Sequence, residues 1–134
     1  MKISVIIATY QRPQSLDRCL RSLLAQTRLP DEVIIGTKTY DTVSGAFLQQ
    51  LSAERDLPFE LRHVQVASHP VFVAENKGLQ VASGQIVSFV DDDAEPYPDW
   101  LERIEAYFQD RHVGGVGGPD IPTNNGRAVF QDLT

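Results

Sequence analysis

Four times along this chain a short run of aliphatic residues gives way to a segment whose apolar positions recur at helical spacing. That alternation restricts the fold more than any other feature. Ile3 to Ala8 reads as a first strand, and Pro13 stands where the first turn of a helix tolerates a missing N–H. Leu16, Cys19, Leu20, Leu23 and Leu24 then lie on one helical stripe, so the helix is expected to run to about Gln26. Pro30-Asp31 closes this unit. Glu32 to Gly36 gives the second strand, and Val43, Ala46, Phe47 and Leu51 mark the helix after it. Leu61 to Val66 gives a third strand, in which Arg62, His63 and Gln65 interrupt the apolar positions as they would near a sheet edge. A helix over Val71 to Ala82 precedes the fourth strand, Ile86 to Val90. Trp100, Ile104, Tyr107 and Phe108 form the last helical stripe and are expected in the core, and Val113 to Val116 is expected to begin a fifth strand. Strands alternating with helices imply an α/β fold: a doubly wound, mostly parallel sheet with helices on both faces and right-handed crossovers. Many chemistries use such a sheet, so function must be read from its loops.

Composition narrows the classes. At 134 residues the chain is long enough for one domain with a real core and short for two. The net charge of −6 and the scattering of 12 basic residues argue against a nucleic-acid partner, which calls for a clustered basic surface. No apolar run is long enough for a signal sequence or a spanning helix. The single cysteine, Cys19, excludes an internal disulfide, is compatible with a reducing cytoplasm, and is expected in the core.

The loop after the fourth strand carries the chemistry. Asp91-Asp92-Asp93 follows the apolar run directly, at the carboxyl end where open α/β sheets bind ligands. Three adjacent carboxylates repel one another unless a cation offsets them, and a divalent metal carrying a phosphorylated ligand would do so. The alternative from the residues alone is a solvated acidic turn capping the helix that starts near Pro98.

Several stretches, taken in order, resemble a known family. They are Ser4 to Pro13, Leu20 to Thr27 and Pro30 to Ile34, then Asn76-Lys77-Gly78, Ala82-Ser83-Gly84, Ile86 to Asp93 and Pro98 to Leu101. Together they are similar to the nucleotide-binding part of family 2 glycosyltransferases, from Ser4 to about Pro119. The resemblance implies a GT-A fold over residues 1–134, binding a nucleotide-diphosphate sugar with Mg²⁺ or Mn²⁺, and a transferase of the inverting kind. It further implies Asp93, with Asp91, as the metal's carboxylates, and Asp91 or Asp92 at the ribose. Ala8 and Thr9 would read the base edge through their backbone and Tyr10 would cover its face, the alternative for Tyr10 being a packing role. Arg12 is near enough in sequence to reach a phosphate, or else is a solvated residue at the helix start.

The chain departs from the family pattern twice. Gly36-Thr37-Lys38-Thr39-Tyr40-Asp41 replaces an acidic pair, so a base-reading carboxylate is either missing or displaced to Asp41, which could equally cap the next helix. Glu75 stands where the family commonly has Arg, which leaves Lys77 as the cation of that loop. His63, His69 and His112 lack metal-ligand spacing and are expected at the surface. Gly114 to Gly118 lacks the spacing and lysine of a P-loop. No general base is identified, and the late acids are Asp120 and Asp132, of which Asp120 is the first candidate. The expectation is a donor-binding half lacking the acceptor and catalytic-base segment, cytoplasmic or at the membrane surface, self-associating, with a glycan, lipid or protein acceptor. The competing expectation is a nucleotide-binding module without transfer activity.

Overall fold

The computed structural model describes residues 1–67, 70–124 and 127–128. In chain order the elements are β1 (Ile3–Ala8), α1 (Pro13–Leu24), β2 (Glu32–Lys38), α2 (Thr42–Glu54), β3 (Glu60–Val66), α3 (Val71–Val81), β4 (Ile86–Phe89) and α4 (Trp100–Tyr107). A two-residue antiparallel pair follows, β5 (Thr123–Asn124) and β6 (Arg127–Ala128). The main sheet is parallel throughout, in the order β3-β2-β1-β4. Successive strands step to one side of β1 and the chain then returns to its other side, so the topological switch falls between β1 and β4.

The two-residue period of a strand sorts the core into two faces. Ile3, Val5 and Ile7 of β1, with Val33 and Ile35 of β2, pack against Leu16, Cys19, Leu20 and Leu23 of α1, Leu48 and Leu51 of α2 and Leu101 of α4. Ile6 and Ile34 face the other way, toward α3. That contact depends on missing side chains: a Cβ at Gly78 would lie 2.8 Å from Ile6 Cγ2, and one at Gly36 would lie 2.9 Å from Ala74 Cβ. Helices therefore cover both faces.

At the amino end of the sheet one carboxylate ties four segments. Glu32, fully buried, accepts from Ser4 Oγ and from the Ser83 N–H, both at 2.6 Å, while Arg62 Nη1 lies 3.6 Å from its other oxygen. Burial by itself would raise its pKa. The bonds from Ser4 and Ser83 outweigh that effect and hold it at about 2.

Four expectations are corrected. Residues 113–116 form no strand, and Gly114 to Gly118 are exposed coil in open space. On α2, Phe47 and Leu51 face the core as expected, but Val43 and Ala46 are exposed and Ser44 and Leu48 are buried in their stead, Ser44 being drawn in by its bonds to Asp41. Tyr107 is exposed, and Leu101 is the residue of α4 that reaches the core, with Trp100, Ile104 and Phe108 packed against it. α1 stops at Leu24, and Gln26 has a different task, described below. The edge position expected for the third strand is found for β3.

Candidate functional site

The carboxyl ends of β1 and β4 lie side by side at the switch point, and the residues that follow them are bonded to each other. Thr9, just past β1, donates its N–H to the Gly36 carbonyl at 3.0 Å, which fixes its backbone to β2. Its hydroxyl donates to Asp92 Oδ2 at 2.7 Å. Arg12 closes on the same carboxylate as a fork, with Nε on Oδ2 at 3.2 Å and Nη2 on Oδ1. Asp92 is thereby the buried member of the triplet, 1% exposed, while Asp91 and Asp93 are exposed. The triplet does not cap a helix. Asp99 holds the N-cap position of α4.

Local chemistry explains this arrangement. Arg12 is the N-cap residue of α1 and makes no side-chain capping bond, so its guanidinium is available to the β4 loop. The turn between Thr9 and Arg12 passes through Gln11 at φ 50°, a left-handed conformation that a side chain disfavours. Asp41 holds that turn from the neighbouring loop, accepting the Gln11 N–H at 2.9 Å while it caps α2 through the Ser44 N–H at 3.1 Å and the Ser44 hydroxyl at 2.6 Å. Burial acts to raise the Asp41 pKa, and these bonds outweigh it and lower it. Of the two roles open to Asp41, the capping one is found, with the Gln11 contact in addition.

Beneath the acidic loop lies Cys19, whose Sγ donates to the Asp91 carbonyl at 3.5 Å. Burial first, and then the carboxylates of Asp92, Asp93 and Asp91, push its pKa up to about 12. The downstream side of the loop is fixed by Gln26. Its Nε2 donates to the Tyr97 carbonyl at 2.7 Å, and its Oε1 accepts from the Leu101 N–H at 3.0 Å. By sequence Gln26 stands at a helix end, within the Leu20 to Thr27 stretch that carries the family resemblance. The available signal is a Gln standing two residues beyond a helical stripe.

The other expected residues divide. Tyr10 is 41% exposed, with its ring edge-on to Tyr40 at 6.1 Å between centroids. Two aromatic rings thus stand at the ends of β1 and β2. Ala8 closes β1, and the Thr9 N–H is engaged by the Gly36 carbonyl. Lys77 is exposed on α3, next to the Gly78 that packs over Ile6 and Ile34. Asp120 is exposed on the coil beyond α4. His63 bonds the Thr37 hydroxyl at 2.7 Å, and burial lowers its pKa against the opposing pull of Asp41. His112 is exposed beside Asp110, whereas His69 and Asp132 lie outside the described residues.

A hard divalent cation takes oxygen ligands and can be held by one or two carboxylates when ligand phosphate and water complete its shell. Asp91 and Asp93 meet that requirement in donor type and exposure. Among the described residues, no three His, Cys, Asp or Glu side chains are grouped to hold a metal ion by themselves.

Comparison with known proteins gives the following. The family model described as glycosyl transferase family 2 matches residues 4–131. A glucosyl-dolichyl phosphate glucuronosyltransferase of Haloferax volcanii is 30% identical over 129 residues, which are 91% of this chain and 39% of that protein. Among solved structures, S. aureus TarS 1-349 in complex with UDP-GlcNAc superposes with a TM-score of 0.66 at 26% identity, over 90% of this chain and 37% of that one. The mannosyltransferase PcManGT of Pyrobaculum calidifontis, in complex with GDP-Man and Mn²⁺, gives 0.74 at 24% identity, over 84% and 34%. The architecture is the GT-A fold. This chain spans about two-fifths of the length of the relatives it matches.

Proposed function

Since the chain belongs to glycosyl transferase family 2, we propose that it forms the nucleotide-sugar-binding part of a metal-dependent, inverting glycosyltransferase. One observation carries this reading. The loops after β1 and β4 meet at the topological switch point, through Thr9 and Arg12 on Asp92, and leave the carboxylates of Asp91 and Asp93 exposed at the carboxyl end of the sheet.

In this reading the three acids divide the work, with Asp91 serving both the ribose and the metal. Asp92 braces the loop and is unavailable to the ribose, so the ribose hydroxyls fall to Asp91. Asp93, with Asp91 beside it, would hold Mg²⁺ or Mn²⁺ against the diphosphate. The metal, when bound, supplies charge neutralisation for the departing diphosphate. Tyr10 offers its face to the base, and the left-handed turn that Asp41 fixes at Gln11 sets the distance from that ring to Arg12. The bonds of Gln26 keep the segment beyond the acidic triplet in place. Relatives that carry the names glucuronosyltransferase and mannosyltransferase, and structures holding UDP-GlcNAc or GDP-Man with Mn²⁺, support the donor class.

The test is calorimetric titration of UDP and GDP, and of their sugars, into the 134-residue chain with Mn²⁺ or with chelator. Binding should be much tighter with the metal, and Asp93→Asn should remove the difference. Equal affinity with and without metal, or an Asp93→Asn protein that keeps the full metal effect, overturns the reading.

A further inference from the structure

The guanidinium of Arg12 has three nitrogens, and they are not equally engaged. Nε and Nη2 grip the buried carboxylate of Asp92, which also accepts from Thr9. Nη1 extends past that pair and lies 3.8 Å from Asp93 Oδ2. The two contacts differ in kind. On the Asp92 side the acceptor is 2% exposed and the geometry is a fork. On the Asp93 side the side chains are 54% and 60% exposed and the approach is too long for a hydrogen bond, so that contact is readily exchanged.

We propose that Arg12 is the resident counter-ion of the acidic loop and sets the order in which the site is loaded. Resting on the nucleotide-sugar reading above, the inference is that Arg12 opposes a divalent cation arriving alone and supports one arriving with a diphosphate. Asp93 cannot serve a guanidinium and a divalent cation equally, because the two positive charges would then face each other across one carboxylate. Arg12 cannot retreat far, since its Nε and Nη2 remain fixed on Asp92. Its Nη1 is therefore held at the mouth of the site, where a diphosphate oxygen would relieve the repulsion by bonding both cations. Affinity for metal and affinity for nucleotide become coupled through one side chain, and the coupling acts equally in both directions.

The consequence is a pair of shifts of opposite sign. In Arg12→Gln, Mn²⁺ alone should bind more tightly by about three- to tenfold, because a positive charge near Asp93 has been removed. The complex of Mn²⁺ with UDP or GDP should bind more weakly by a similar factor. A brace that merely holds the loop would weaken both affinities together. Mn²⁺ alone is followed by the electron paramagnetic resonance signal of the free ion, and the Mn²⁺–nucleotide complex by calorimetry at saturating metal. Opposite shifts support the proposal, and any other pattern overturns it. Wild-type chain that binds neither Mn²⁺ nor the Mn²⁺–nucleotide complex overturns the proposed function along with it, whereas wild-type chain that binds both while the variant shifts both affinities alike overturns this inference alone. Should Arg12→Gln fail to fold, the reading is the Nε–Hε resonance of Arg12 in the wild-type chain. It should hold its position with Mg²⁺ alone and move with Mg²⁺ and the nucleotide together. An unmoved resonance at saturation overturns the proposal.

Discussion

Thr9 and Asp92, separated by 83 residues, are joined by a hydroxyl-to-carboxylate bond of 2.7 Å that spans the gap between the loops of β1 and β4. Both residues are buried, so the carboxylate has few other donors to turn to. Thr9→Val keeps the shape and removes the donor. It should lower stability by about 1.5–3 kcal/mol, the net worth of a hydrogen bond to a charged group. Urea denaturation should show a lower midpoint at unchanged slope, and an unchanged midpoint would mean that Arg12 alone satisfies Asp92.

Tyr10 is the residue for which binding and folding should separate. Its ring is substantially exposed and its described aromatic contact is with Tyr40, itself exposed, so little core is lost on truncation. Tyr10→Ala should leave the melting temperature nearly unchanged while raising the nucleotide Kd roughly fivefold, the equivalent of about 1 kcal/mol of aromatic contact. A sharp fall in melting temperature with unchanged Kd would identify a packing residue.

Two helical glycines should respond to the same substitution with opposite signs. Gly78→Ala would bring a methyl group to 2.8 Å from Ile6 Cγ2, and separating α3 from the sheet should cost about 1–3 kcal/mol. Gly45, inside α2, has nothing within 4 Å of the position its Cβ would take, so Gly45→Ala should stabilise by about 0.5–1 kcal/mol. Thermal unfolding of the two variants checks both.

Glu32 should make stability fall in acid. Its folded pKa of about 2 lies below the ordinary value of 4.5, so its contribution is complete above pH 4.5 and is lost as pH falls from there toward 2. Glu32→Gln should be less stable than the parent at pH 7 and should show a flatter pH dependence across that window. The comparison is made by denaturant titration at several pH values. A parallel pair of profiles would show that Glu32 does not drive the acid response.

The local pattern determined much of this protein. The apolar runs Ile3 to Ala8, Glu32 to Gly36 and Ile86 to Val90 and the stripe from Leu16 to Leu24 are short-range signals of period two and 3.6, and each became the element it predicted within a residue or two. The acidic triplet drew notice because it directly follows an apolar run, which became the half-buried edge strand β4. Local pattern also misled where a tertiary partner outweighed it. Ser44 turned inward and Val43 outward because Asp41 bonds Ser44, and residues 113–116 lacked the pairing that makes an apolar run a strand.

Only the tertiary structure decided which carboxylate of the three is buried and which two are exposed. Asp91, Asp92 and Asp93 are chemically identical and adjacent, so nothing in their order separates a buried brace from an exposed carboxylate. The sheet order β3-β2-β1-β4 sets the loop of β4 beside that of β1, and Thr9 and Arg12 then bury the middle acid and leave its neighbours in solvent. That choice rests on contacts 80 or more residues apart, which no window of sequence contains.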